Sequence, residues 1–175
     1  MLLNILKYPD PFLKTKAAEV AGIDEVKALI PDMIETMYHA RGIGLAATQV
    51  GIDKRIAVLD VPDENDERKE RGKNLIVLIN PRILHAEGSI VYEEGCLSIP
   101  GITADVQRYA ALRVSSLDRD GKTVEFDAQG LFAIAIQHEI DHLDGVLFID
   151  RLSRLKREMI KRKIRKALEA EERAL

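Results

Sequence analysis

Apolar residues recur at helical spacing through residues 24–41, where Val26, Leu29, Ile30, Met33, Ile34 and Met37 fall on one face. Asp24 is placed to cap this helix and Gly42 to end it, while Pro31 should kink or split it. The period then shortens. Arg55–Asp60 and Asn74–Asn80 are rich in Ile, Val and Leu and read as strands, with a polar, charged loop over 62–73 between them. Further strands are expected at 82–93, 103–109 and 111–118, and Asp120-Gly121 signals a hairpin into Lys122–Phe126. Gly130–Leu143 returns to helical length and is apolar on nearly every side in its first half, which places it inside the molecule. Residues 153–170 carry Leu155, Met159, Ile164 and Leu168 on a loose stripe among charges, and Ser153 is placed as an N-cap. The order predicts an α+β fold: antiparallel β-sheets around a central buried helix, with a C-terminal surface helix. Residues 1–152 form the body, and 153–175 extend the same domain.

At 175 residues the chain suits one domain with a full core. Composition changes that picture little: 46% hydrophobic and 31% charged residues exclude a wholly disordered chain. No apolar run approaches bilayer-spanning length, so no membrane partner is expected. The opening MLLNILK lacks a basic start and a small-residue cleavage site, and reads as mature protein. Charge is more informative. Residues 151–175 hold ten Lys/Arg against four Asp/Glu, while the net charge of the whole is −3, so an acidic body carries a basic tail. Any polyanionic partner would dock on that tail. The single cysteine, Cys96, excludes an internal disulfide and fits a reducing compartment.

The strongest chemical signal is His138-Glu139-Ile140-Asp141-His142. Imidazoles four apart on a helix share a face and can grip one ion, with Glu139 beside them to move a proton. Two histidines need a third ligand. The position where a third His follows in many HExxH proteases is Phe148; Glu158 lies in the basic helix; Cys96 sits in a Gly-rich break, Glu93-Glu94-Gly95-Cys96-Leu97-Ser98. A thiolate suits zinc or ferrous iron, whereas a lone Cys is otherwise a small core residue. A third segment, Gly42-Ile43-Gly44-Leu45-Ala46-Ala47-Thr48-Gln49, lets backbone come close to something and offers an amide donor.

Together, and in this order, G-I-G-L-A-A-T-Q, E-G-C-L-S and Q-H-E-I-D-H resemble the signature motifs of the peptide deformylase family. The resemblance extends from Ile5 to about Leu155. It implies a metal-dependent hydrolase that removes the N-terminal formyl group from formyl-methionyl nascent polypeptides and releases formate. It implies Cys96, His138 and His142 as metal ligands and Glu139 as general acid/base. Gln49 and the Leu97 N–H would be oxyanion donors. The implied cofactor is one divalent metal, Fe2+ foremost, with Zn2+, Ni2+ or Co2+ also able to occupy the site; no nucleotide cofactor is implied. Ile43, Ile134 and Ala135 are expected to line the methionine slot, with the peptide backbone pairing against Gly44 and Gly95. A cytoplasmic setting is expected, with ribosome docking through the run Lys161–Lys166. Some members carry Glu and Arg where this chain has Gly101 and Thr103, and Arg108 is the residue expected to compensate. Two rival readings are a general zinc peptidase with another third ligand, and an inactive metal-holding module.

Overall fold

The computed structural model describes residues 1–65, 67 and 70–175; part of the predicted 62–73 loop, at 66, 68 and 69, lies outside the described residues. Seven strands follow a first helix: β1 Gly44–Ala46, β2 Ile56–Asp60, β3 Leu75–Glu87, β4 Ile90–Cys96, β5 Ile99–Arg108, β6 Ala111–Leu117 and β7 Thr123–Gln129. They make an antiparallel five-stranded sheet in the order β1-β2-β3-β6-β7 and a separate β4-β5 hairpin. Every residue of β2 is buried, as its unbroken apolar run requires of a strand covered on both faces. In β6 burial alternates, so one face meets the core and the other does not.

The first helix, α1, runs Leu29–His39 and buries Ile30, Met33 and Met37; Val26 is buried ahead of it, while Leu29 and Ile34 are partly covered. It is shorter than expected. Asp24 belongs to a separate 3-10 turn, Ile23–Glu25, and Pro31 opens the helix instead of kinking it. Pro31 is the third helical residue, where an amide has no acceptor within the helix and its loss costs nothing. At the other end Arg41, not Gly42, takes the left-handed conformation with φ 60°. Arg41 N–H donates to Tyr38 O and Gly42 N–H to Met37 O, each at 3.0 Å, closing a Schellman cap.

The predicted 82–93 strand is the end of β3 plus the start of β4, separated by a turn at Gly88, φ 70°. β3 continues through Pro81 because the register shifts between Ile79 and Arg82, a bulge that tolerates the missing amide. β1 was expected as a glycine loop; it pairs with β2 at Gly44–Leu59, Leu45–Val58 and Ala46–Ala57.

The second helix, α2, covers Gly130–Leu143 as expected, and Gly145, φ 76°, ends it. Ala133, Ile136, Ile140 and Leu143 pack into the cluster formed with Leu59, Leu78, Leu112 and Val114. The third, α3, runs Arg154–Ala174 with the Ser153 hydroxyl accepting from the Lys156 N–H at 3.3 Å. Ile160 and Ile164 rest against the cluster around Leu13, Phe148 and Leu152, while Leu155 and Met159 stay exposed. Among the described residues, no helix is long and apolar enough to cross a membrane.

Candidate active site

Three elements converge on one cavity of about 360 Å³. α2 supplies His138, Glu139 and the pocket wall Ile134 and Ala135; the β4-β5 turn supplies Gly95, Cys96 and Leu97; the α1–β1 segment supplies Ile43 and Gly44. Gln49 lies just behind this lining, in the 3-10 turn after β1, and is fully buried. All the residues expected at the site are therefore brought together.

The deepest point is a sulfur facing two imidazoles. Cys96 Sγ lies 3.3 Å from His142 Nε2, and His142 Nε2 lies 3.2 Å from His138 Nε2. The three donor atoms fall within 4.8 Å of one another, the only such cluster among the described residues. Phe148 is no ligand: its ring packs against that of His138 at 6.3 Å. Glu158 is exposed on α3 and takes no part in the cluster.

Two of the three donors, Cys96 and His138, are held from behind. The Ser98 and Gln49 N–H groups point at the Cys96 sulfur at 3.4 and 3.6 Å. His138 Nδ1 meets Glu94 Oε1 at 2.9 Å, which leaves Nε2 to face the cluster. Glu94 is clamped in turn by Arg108, Nε to Oε2 at 2.8 Å and Nη2 to Oε1 at 2.9 Å. Arg108 Nη1 continues to Asp141 at 2.6 Å, and Asp141 also accepts from Arg151. Arg108 is thus committed to two buried carboxylates and cannot grip a substrate, contrary to the sequence expectation. Burial of the Glu94 carboxylate raises its affinity for a proton, but the bonds from Arg108 and His138 outweigh this and hold it below the usual range.

Burial lowers both imidazoles. For His138 the bonds to Cys96 and Glu94 reverse this and hold it well above the ordinary value, while for His142 the positive charges of His138 and Arg108 add to burial and keep it well below. His142 Nδ1 is a buried nitrogen with no hydrogen-bond partner. A soft sulfur and two imidazole nitrogens converging in this way fit a divalent transition metal.

Glu139 is buried beside them, and desolvation pushes its carboxyl up to about 7. Its Oε1 has no hydrogen-bond partner. A Cβ on Gly44 would lie 2.4 Å from Glu139 Oε2, so only glycine lets β1 pass this close. The Gln49 amide is fixed at both ends: its oxygen accepts the Ala46 N–H at 3.0 Å, and Nε2 donates to Ser98 Oγ at 3.1 Å. Sequence reasoning missed Glu94, Ser98, Asp141 and the wall residue Leu131. Glu94, Ser98 and Asp141 stood inside the motifs around Cys96 and His142 without an assigned role, and Leu131 had no signal.

The family model for polypeptide deformylase matches residues 2–158. A peptide deformylase from Alkalilimnicola ehrlichii is 52% identical over 94% of this chain and 90% of its own length. One from Thermodesulfovibrio yellowstonii is 52% identical over 94% of this chain and 97% of its own. The crystal structure of a peptide deformylase from Legionella pneumophila superposes with a TM-score of 0.87 at 43% identity, covering 99% of both chains. A Synechococcus elongatus peptide deformylase solved with actinonin superposes with a TM-score of 0.81 at 42% identity, covering 92% of this chain and 85% of that one.

Proposed function

The chain belongs to the peptide deformylase family, and from that premise we propose how its residues divide the work. The protein is a metal-dependent hydrolase that takes the N-terminal formyl group from nascent polypeptides. In our reading Cys96, His138 and His142 hold one divalent ion, which when bound supplies Lewis acidity and makes water acidic enough to ionise near neutral pH. The observation that carries this reading is the convergence of Sγ and two Nε2 atoms within 4.8 Å, beside the buried, unpartnered Glu139 carboxyl. Ferrous iron is the proposed ion, since one thiolate and two imidazoles suit it; zinc, nickel and cobalt are the alternatives.

Glu139 takes a proton from the attacking water at its free Oε1 and later delivers it to the departing amine. A carboxyl held near neutral by burial is poised for both transfers. Gln49 Nε2 and the Leu97 N–H donate to the formyl oxygen as charge builds there. Ile43, Leu131, Ile134 and Ala135 offer the methionine side chain an apolar wall. The peptide backbone runs as an added strand between Gly44 and Gly95. Cytoplasmic action is proposed from the lone thiol and the substrate, and ribosome docking from the basic face of α3.

The test is Glu139→Gln assayed for formate release from formyl-Met-Ala-Ser. Turnover should fall by roughly 100-fold or more with metal content unchanged. Retained turnover removes Glu139 from the reaction, and cleavage of unformylated Met-Ala-Ser by the parent protein favours the peptidase alternative.

A further inference from the structure

The mouth of the cavity is charged on both rims, and these charges are not used by the chemistry above. Its lining includes four carboxyl or guanidinium groups besides the ligands: Arg41, Glu93, Glu94 and Glu139. Glu94 is tied to Arg108 and His138, and Glu139 is the proposed acid/base. Arg41 and Glu93 remain. Both are exposed, and the side chain of neither makes a hydrogen bond or ion pair among the described residues. Arg41 also borders the adjoining cavity with Tyr38, Ile43 and Arg71. Arg71 is already engaged, lying over the Tyr38 ring at 5.2 Å and donating to the Tyr38 carbonyl. Among the described residues, Arg41 is therefore the free cation on this wall.

Its backbone adds a second observation. Arg41 occupies the left-handed position of the α1 cap, φ 60°, where glycine is the unstrained choice. A non-glycine residue there carries a conformational cost. The chain accepts this cost and places a guanidinium beside Gly42, Ile43 and Gly44, the segment along which the substrate strand is proposed to lie.

We propose that Arg41 is a specificity-determining residue that favours substrates with an acidic side chain at the second or third position. This rests on the deformylase reading above. An extended peptide advances about 3.3 Å per residue. Gly44 and Arg41 line the same cavity, so a substrate paired at Gly44 passes Arg41 with its second or third side chain. The acidic body repels an acidic nascent chain in general, which leaves a local cation at the mouth as the group that can admit one. Glu93 stands on the other wall, on β4, and makes no ion pair with Arg41.

The experiment uses the metal-loaded full chain and formyl-Met tripeptides carrying Asp, Asn or Lys at position two or three. Wild type should favour Asp over Lys by about three- to fivefold in kcat/KM, the scale of one exposed ion pair, with the change in KM. The preference should shrink as salt rises. Arg41→Glu should reverse it. Arg41→Gly, which suits the left-handed backbone, should abolish it while leaving formyl-Met-Ala-Ser turnover intact. Equal rates on Asp, Asn and Lys substrates in wild type overturn the proposal, as does an equal change on all three in Arg41→Glu. Turnover of the neutral peptide reports separately on the parent reading.

Discussion

A single hydrogen at position 44 decides whether Glu139 has room. Alanine there would press a Cβ to 2.4 Å from Oε2 and 3.2 Å from Cγ, so the whole end of this buried side chain would have to shift. Gly44→Ala should lower kcat by roughly ten- to 100-fold, because a displaced proton carrier loses its alignment. Bound metal and circular dichroism should be unchanged; wild-type kcat would mean that the carboxyl has freedom to move. Arg108 poses the opposite problem, a cation between two buried carboxylates. Arg108→Met should cost about 3–5 kcal/mol of stability in urea unfolding. It should also speed metal loss to a chelator, since Glu94 then no longer anchors His138; unchanged metal retention would detach this clamp from the site. His138, His142 and Glu139 were readable in the sequence because their chemistry is local and their spacing periodic, whereas Cys96, on a distant segment, was assigned through the resemblance. The role of Arg108 was not, since its partners lie 14 and 33 residues away on other elements. An unpaired arginine in sequence looks like a substrate anchor until the fold supplies its acids.

Among the elements, the turn joining α2 to α3 is held by one carboxylate. Asp150, in the 3-10 turn Phe148–Arg151, accepts the Leu147 N–H at 2.9 Å and the Lys14 ammonium at 2.8 Å. Burial acts to raise its pKa, but the Lys14 and Leu147 bonds prevail and lower it below the ordinary carboxylate value. Its stabilisation is therefore present above about pH 4, the unfolded value, and fades as pH falls through the lower folded value. Asp150→Asn should cost up to about 1 kcal/mol at pH 7, with a smaller gap from wild type at pH 3. Urea midpoints at both pH values measure this, and a gap that widens in acid would reverse the assignment. The elements themselves were legible where period and length agreed, as in α2. They were misread where one proline dominated the local signal: Pro31 opens α1 and Pro81 sits in a bulge of β3. β1 went unread because three residues carry no period; its strand character comes from pairing with β2.

For the whole molecule the division of charge suggests a division of labour between body and tail. α3 meets the body through Ile160 and Ile164, so its outer face is free for another partner. Arg162, Lys163 and Lys166 are exposed and lie off that packed stripe. Replacing all three with Gln therefore separates docking from folding, which deletion of the helix would not. If α3 binds ribosomal RNA through phosphates, each lost contact should lower the slope of log K against log salt by about 0.7–0.9. Ribosome co-sedimentation of the triple variant should weaken most at low salt, while turnover of formyl-Met-Ala-Ser stays at the wild-type rate. A variant that co-sediments like wild type across the salt range would return this face to plain solvation. The deformylation site would stand unaffected, because its ligands all come from α2 and the β4-β5 turn.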